Sequence, residues 1–236
     1  MFDAVFISDV HLGTSRCNTK KLLKFLKELK TKKLILVGDI IDIYSMEKYH
    51  EKWTKKHTEC IHALLDLAKN GTKIVYILGN HEESFRRYTD FTFENVSVCE
   101  EYVHIDSKKN KYLCIHGDKY SKFSSGSWKQ LILMWGYEYV SPLNEFTKKF
   151  FNFSLVNFLK NLPHAKEFIN KYENDIFFHS YGRAERSEIY RGVICGHIHH
   201  KKIRYFDDFM YMCCGDWVDT CSAIIEKNGM YCLEKY

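Results

Sequence analysis

The chain of 236 residues and 28.1 kDa is large enough to bury a core without staples. Apolar residues make up 45% of it, aromatics 16% and proline only 2 positions, which excludes disordered, collagen-like and linker-like readings. The formal net charge of +5, from 35 basic against 30 acidic residues, is too mild to point to nucleic acid, so none is expected as a partner, and it is compatible with an anionic substrate or surface.

Residues 1–9 carry Asp3 and no basic n-region, so they read as a strand and not as a signal peptide. The amino-terminal half then alternates short apolar runs with longer amphipathic ones. Strands are expected over 4–8, 34–37 and 73–78, and helices over 19–30 and 53–69, a βαβαβ pattern. In the first helix Leu22, Leu23, Leu26 and Leu29 recur at helical spacing among lysines, with Asn18 or Thr19 available as N-cap. The strands are continuously apolar, as expected when both faces of a sheet are covered. After Val96 the pattern turns β-rich, with strands over 102–106 and 112–116 around a turn at 108–110, and a second sheet begins.

Residues 119–190 carry clustered aromatics, including Trp128, Trp135, Phe150, Phe151 and Phe153, among lysines with little β alternation, and read as a helical insertion. Strands resume over 192–195, 202–206, 209–214, 221–226 and 230–233, with Asp207-Asp208 and Asn228-Gly229 as hairpin turns. No repeat and no Pro/Gly/Ser-rich linker appears, so one domain over 1–236 with an insertion is the economical account. No apolar run approaches the ~18 residues that a membrane span needs. The nine cysteines include no C-x-x-C pair and sit in apolar runs, as at Cys99, Cys114, Cys195 and Cys213. They read as small core hydrophobes in a reducing cytosol, which makes a cytoplasmic location the expectation.

Metal-competent side chains follow the predicted strands at their carboxyl ends. Asp9 and His11 follow the first, Asp39 and Asp42 the second, Asn80 and His81 the third, His116 the fifth, and His197 and His199 the strand ending at Cys195. That rim is where ligands bind in open α/β sheets. One Asp after a strand is ordinarily a helix N-cap, and one His ordinarily a surface or satisfied core residue. Five such clusters at the same end of successive strands are not explained that way. The donors Asp9, His11, Asp39, Asn80, His116, His197 and His199 form an oxygen and imidazole set without thiolate, which suits Mn²⁺ first, with Fe or Zn²⁺ as alternatives. Seven ligands are too many for one ion and about right for two if one carboxylate bridges, the arrangement used for in-line phosphoryl displacement.

The blocks D-x-H (9–11), G-D-x-x-D (38–42), G-N-H-E (79–82), H-G-D (116–118) and G-H-x-H (196–199) resemble, in order, the signature of the calcineurin-like metallophosphoesterases. The stretch Cys214-Gly215-Asp216-Trp217-Val218, followed by Cys221, and the insertion before G-H-x-H resemble the branch of UDP-2,3-diacylglucosamine diphosphatase, the lipid A pathway hydrolase. The resemblance implies an α/β fold, a four-layer α/β/β/α sandwich of two sheets. It implies one metal on Asp9, His11, Asp39 and His199, and another on Asp39, Asn80, His116 and His197, with Asp39 bridging. It further implies that His81 stabilises the transition state and protonates the leaving oxygen, oriented by Asp42. That branch usually has Arg after the Asn of its third block, where this chain has His81, the residue of the general phosphoesterase dyad.

The expected substrate is a pyrophosphate or phosphate ester of a nucleotide-sugar lipid, with nucleotide or nucleic-acid phosphodiester cleavage as the alternative and a metal-free scaffold as a third reading. Arg86 and Arg87 are candidates to reach a substrate phosphate, although they also read as solvated helix charges. Trp128 and Trp135, with Phe150, Phe151, Phe153, Lys148 and Lys149, read either as packing or as an acyl slot and peripheral membrane contact.

Overall fold

The computed structural model describes residues 1–120, parts of 162–176, and 190–236. Two compact parts divide the chain: residues 1–118 with 180–236, and residues 119–179. In the second part the described residues between 162 and 176 are mostly helical, and Glu173 and Ile176 are buried. Trp128, Trp135 and the other aromatics assigned to the insertion lie outside the described residues. Among the described residues no helix is long and apolar enough to cross a membrane.

In the first part the order is β1 (Ala4–Ile7), α1 (Thr19–Glu28), β2 (Lys33–Val37), α2 (Ile43–Tyr49), α3 (Lys55–Lys69), β3 (Lys73–Ile77), a 3-10 segment (Asn80–Tyr88), β4 (Thr92–Phe93), β5 (Val96–Cys99), β6 (Glu101–Ile105) and β7 (Lys111–Ile115). After the second part come β8 (Tyr190–Cys195), β9 (Lys202–Phe206), β10 (Phe209–Cys213), β11 (Ser222–Lys227) and β12 (Met230–Lys235). The strands form two mixed sheets, one ordered β12-β11-β1-β2-β3-β5-β4 and the other β6-β7-β8-β10-β9. With the helices, they make the expected α/β architecture of two packed sheets.

The continuous apolar runs follow from burial on both faces. Along β1, Val5 and Ile7 point to a core shared with Leu22, Phe25 and Leu26 of α1 and with Cys60, Ala63 and Leu64 of α3. Ala4 and Phe6 point the other way, into a core between the sheets with Cys114, Ile194 and Met212. This alternation is the two-residue period of a pleated strand, with both positions apolar because neither face meets water. The N-cap of α1 is Asn18, whose side chain accepts from Lys21 N. Both hairpin turns stand where expected, Asn228 and Gly229 with φ of 55° and 66° between β11 and β12, and Asp207-Asp208 between β9 and β10. None of the nine cysteines forms a disulfide, and only Cys99 and Cys232 are not buried.

Trp217, fully buried, packs at a tilt against Phe25 of α1 at 4.8 Å and stacks on Tyr236 at 5.9 Å. Its backbone N–H donates to Asp9 O at 3.0 Å, which ties this core to the loop after β1. Trp217→Ala should cost about 3–5 kcal/mol, a fall in Tm of roughly 10 °C or more in a thermal melt. A shift of only 1 or 2 °C would show that this ring does not brace the core.

Candidate metal centre

The site stands on the loops at the carboxyl ends of β1, β2, β3, β7 and β8, and the loops are locked to one another through their backbones. Asp9 N donates to Gly38 O, and Val10 N and His11 N both donate to Asp39 O, at 2.8 to 3.0 Å. Gly196 N donates to His116 O at 3.1 Å. Asp9, His11, Asp39, His197 and His199 all adopt positive φ, between 51° and 72°. Such left-handed backbone costs roughly 1–3 kcal/mol per residue and persists only where the surroundings over-determine it. Five strained residues that are all candidate ligands mark a site whose geometry is held against local preference. Two glycines permit the crowding. A Cβ on Gly79 would collide with the Asp39 carboxylate, and one on Gly38 with the His116 ring.

Several of these side chains converge. Asp9, His11 and His199 each offer a ligand atom within 4.8 Å of the others, and so do Asp39, His116 and His197. His199 Nε2 lies 3.4 Å from Asp9 Oδ1 and 3.3 Å from His11 Nε2. His116 Nε2 lies 3.2 Å from Asp39 Oδ2. Backbone N–H of His197 donates to both Asp9 carboxylate oxygens, at 3.1 and 3.0 Å, and that of His81 donates to Asp39 Oδ1 at 2.9 Å.

These contacts fit metal ions. The Oδ1 atom of Asn80 and the Nε2 atom of His116 are buried without a hydrogen-bond partner. His116 Nδ1 lies 2.9 Å from Val37 O, to which it donates, so Nε2 faces the Asp39 carboxylate and needs a proton or a cation between them. The same holds where two imidazole nitrogens and a carboxylate oxygen meet at His11, His199 and Asp9. Burial, reinforced by the neighbouring His116, pushes His197 down to about 3, which leaves it neutral with a lone pair to offer. Burial raises Asp9 to about 7, with the nearby Asp39 carboxylate adding to the rise against the pull of His116. Two carboxylates crowded in a dry site are the condition that a bound cation relieves.

Asp42 is a hub. Its Oδ2 lies 2.8 Å from His11 Nδ1 and 3.2 Å from Arg16 Nη2, while its Oδ1 lies 2.7 Å from His81 Nδ1 and accepts from Ser45 N at 2.8 Å. One buried carboxylate therefore orients a candidate ligand and the candidate acid together, and also caps α2. Burial would raise the Asp42 carboxyl, but its hydrogen bonds to His11 and His81 hold it well below the usual carboxylate range. Burial pulls His81 down as well, yet the Asp42 hydrogen bond and the Asp39 and Asp42 charges outweigh it and leave the imidazole more basic than usual.

Two residues here escape a reading of the sequence. Arg16 Nη2 donates to both Asp42 Oδ2 and Ser45 Oγ, and nothing in the local pattern announces that pairing. Glu82, fully buried, accepts from Asp39 N, Ile40 N, Ile41 N, Gly79 N and the Tyr76 hydroxyl at 2.6 to 3.0 Å. Burial, then the Asp39 carboxylate, raise it to about 7 against the pull of these donors. Its position as the last letter of G-N-H-E was the only signal. Glu82→Leu should leave those donors unpaired, lower stability by about 3 kcal/mol and weaken metal binding by freeing the Asp39 loop, as melts and metal titration would read. Unchanged metal affinity would show that the clamp is irrelevant to the ligands.

Arg86 places its guanidinium among Glu83, Asp118 and Glu100, at 2.6, 2.7 and 3.4 Å, and Arg87 is exposed with its guanidinium over the Tyr88 ring. No curated protein matches the chain. Among solved structures it is similar in fold to an archaeal phosphodiesterase, at 11% identity over 99% of each chain and a TM-score of 0.50. It is also similar to Yfce, a phosphoesterase from E. coli, at 12% identity over 94% of this chain and 86% of that one, with a TM-score of 0.48. Vacuolar protein sorting 29 from Cryptosporidium parvum matches at 10% identity over 100% and 98%, with a TM-score of 0.46. A family model described as calcineurin-like phosphoesterase matches residues 3–201, from the residue before β1 to just past His199, and the chain belongs to that family.

Proposed function

We propose that the chain hydrolyses a phosphate or pyrophosphate ester with two divalent ions, Mn²⁺ foremost, one on Asp9, His11, Asp39 and His199 and the other on Asp39, Asn80, His116 and His197. What supports this reading is that Asp39 offers a ligand atom to two groups, one with His116, 3.2 Å away, and His197, and one with His11 and His81. When bound, the ions supply an acidified water and neutralise phosphoryl charge. The chain's own contribution is His81, which presents its Nε2 towards Asp39 at 3.8 Å while Nδ1 is held by Asp42, so that a proton on Nε2 is aimed at a leaving oxygen.

The finer reading is a nucleotide-sugar lipid of the UDP-2,3-diacylglucosamine type, with the segment 119–190 facing acyl chains at a membrane surface and the enzyme in the cytoplasm. Its support is the Cys214 to Cys221 stretch of the sequence. His81, standing where that branch has Arg, favours a second reading, general phosphodiester hydrolysis. The test is turnover by the Mn²⁺-loaded protein of bis(p-nitrophenyl) phosphate, UDP-2,3-diacylglucosamine and single-stranded DNA. Hydrolysis of the first two but not of DNA is expected; hydrolysis of the first alone removes the lipid reading. No turnover of any phosphoester after metal loading would overturn the proposal.

A further inference from the structure

The short helix α2, which the sequence pattern did not announce, carries an aromatic side chain to the candidate acid. Tyr44 lies with its ring 5.5 Å from the His81 ring at an interplanar angle of 82°, so an edge of one meets a face of the other. The Tyr44 ring is braced by residues of its own helix. Lys48 donates to the Tyr44 hydroxyl and places its ammonium 4.8 Å from the ring centroid, and Tyr49 packs edge-on at 6.3 Å. Despite these braces, the residue is 41% exposed. A large ring, fixed in place, open to solvent and touching the group that faces the leaving oxygen, has no core to serve. Nor is it a lone surface aromatic, because its position is set by Asp42, which caps α2 and binds His81.

We infer that Tyr44 is a platform for the leaving group, and that the substrate class is a phosphoester or diphosphate whose leaving group is a nucleotide, its planar base stacking on the Tyr44 ring. The inference rests on the reading of His81 as proton donor, since that is what puts the leaving group beside Tyr44. The Lys48 ammonium, one turn further along α2, adds a positive charge at the ring, which suits the phosphate of such a leaving group. Base stacking on an aromatic side chain is sequence-tolerant, because every base offers a π-face, so the platform selects for a ring and not for one base.

The test compares adenosine monophosphate with ribose 5-phosphate, which differ by the base alone, as ligands of the metal-loaded protein by calorimetry and as inhibitors of bis(p-nitrophenyl) phosphate hydrolysis. The wild type should bind the nucleotide roughly tenfold tighter or more. Tyr44→Ala should erase that ratio, and Tyr44→Phe should keep it. A ratio that survives in Tyr44→Ala, or a wild type that hydrolyses the diester yet binds both ligands equally, would overturn the platform. Failure of diester hydrolysis by wild type would instead fault the catalytic reading, while the binding ratio would still decide on Tyr44. A melt of each variant shows that it is folded.

Discussion

Replacing Asp39 with Asn should remove both ions at once and lower kcat by about 10³-fold or more. The residue is fully enclosed, pairs its Oδ2 with His116 at 3.2 Å and receives the His81 backbone on Oδ1. An amide keeps the Oδ1 contact and the volume but loses the charge that the two donor groups share. Each tenfold loss of rate corresponds to about 1.4 kcal/mol, and charge neutralisation by metal ions contributes several times that at a phosphoryl centre. Elemental analysis of the purified variant should therefore find well below one ion per chain, whereas Asn80→Ala, whose ligand atom belongs to one group, should retain about one. Full occupancy in Asp39→Asn would sink the shared-carboxylate assignment even if activity fell.

His81→Ala should lower kcat by roughly 10²-fold to 10⁴-fold, the range expected for a general acid, with metal content intact. Its Nδ1 is already committed to Asp42 at 2.7 Å, and neither ion of the proposed pair is assigned to its Nε2. The loss should shrink as the leaving group becomes more acidic, because a good leaving group needs no proton. An equal loss across nitrophenyl and alkyl esters would show that the imidazole positions the phosphoryl group and moves no proton. Since Asp42 holds both His81 and His11, Asp42→Asn should combine this loss with weakened metal binding, which separates it from the His81 variant.

The donor cluster was legible because its residues are of types that carry chemistry and stand just past strands that end abruptly. The strands, in turn, were legible because burial on both faces of β1, β2 and β3 leaves no polar position to confuse the run. What remained hidden depends on contacts made across the fold. The segment Ile43–Tyr49 has too little apolar periodicity for a helix to be read, and forms one because Asp42 caps it and the neighbouring loops fix that carboxylate. Arg16 and Asp42 are 26 positions apart, and only the fold makes them partners. Glu82 looks like one more acid of a motif, whereas its carboxylate turns inward to hold the loop that carries Asp39. The strands Thr92–Phe93 and Val96–Cys99 are too short for a period of two to stand out.

The central feature of the proposed site is a carboxylate shared by two ions. Crystals grown with Mn²⁺ and measured for anomalous scattering at the manganese edge test it directly. Two peaks are predicted, both bordered by Asp39, one also by Asp9, His11 and His199 and the other by Asn80, His116 and His197. A single peak, or two of which only one touches Asp39, would contradict it.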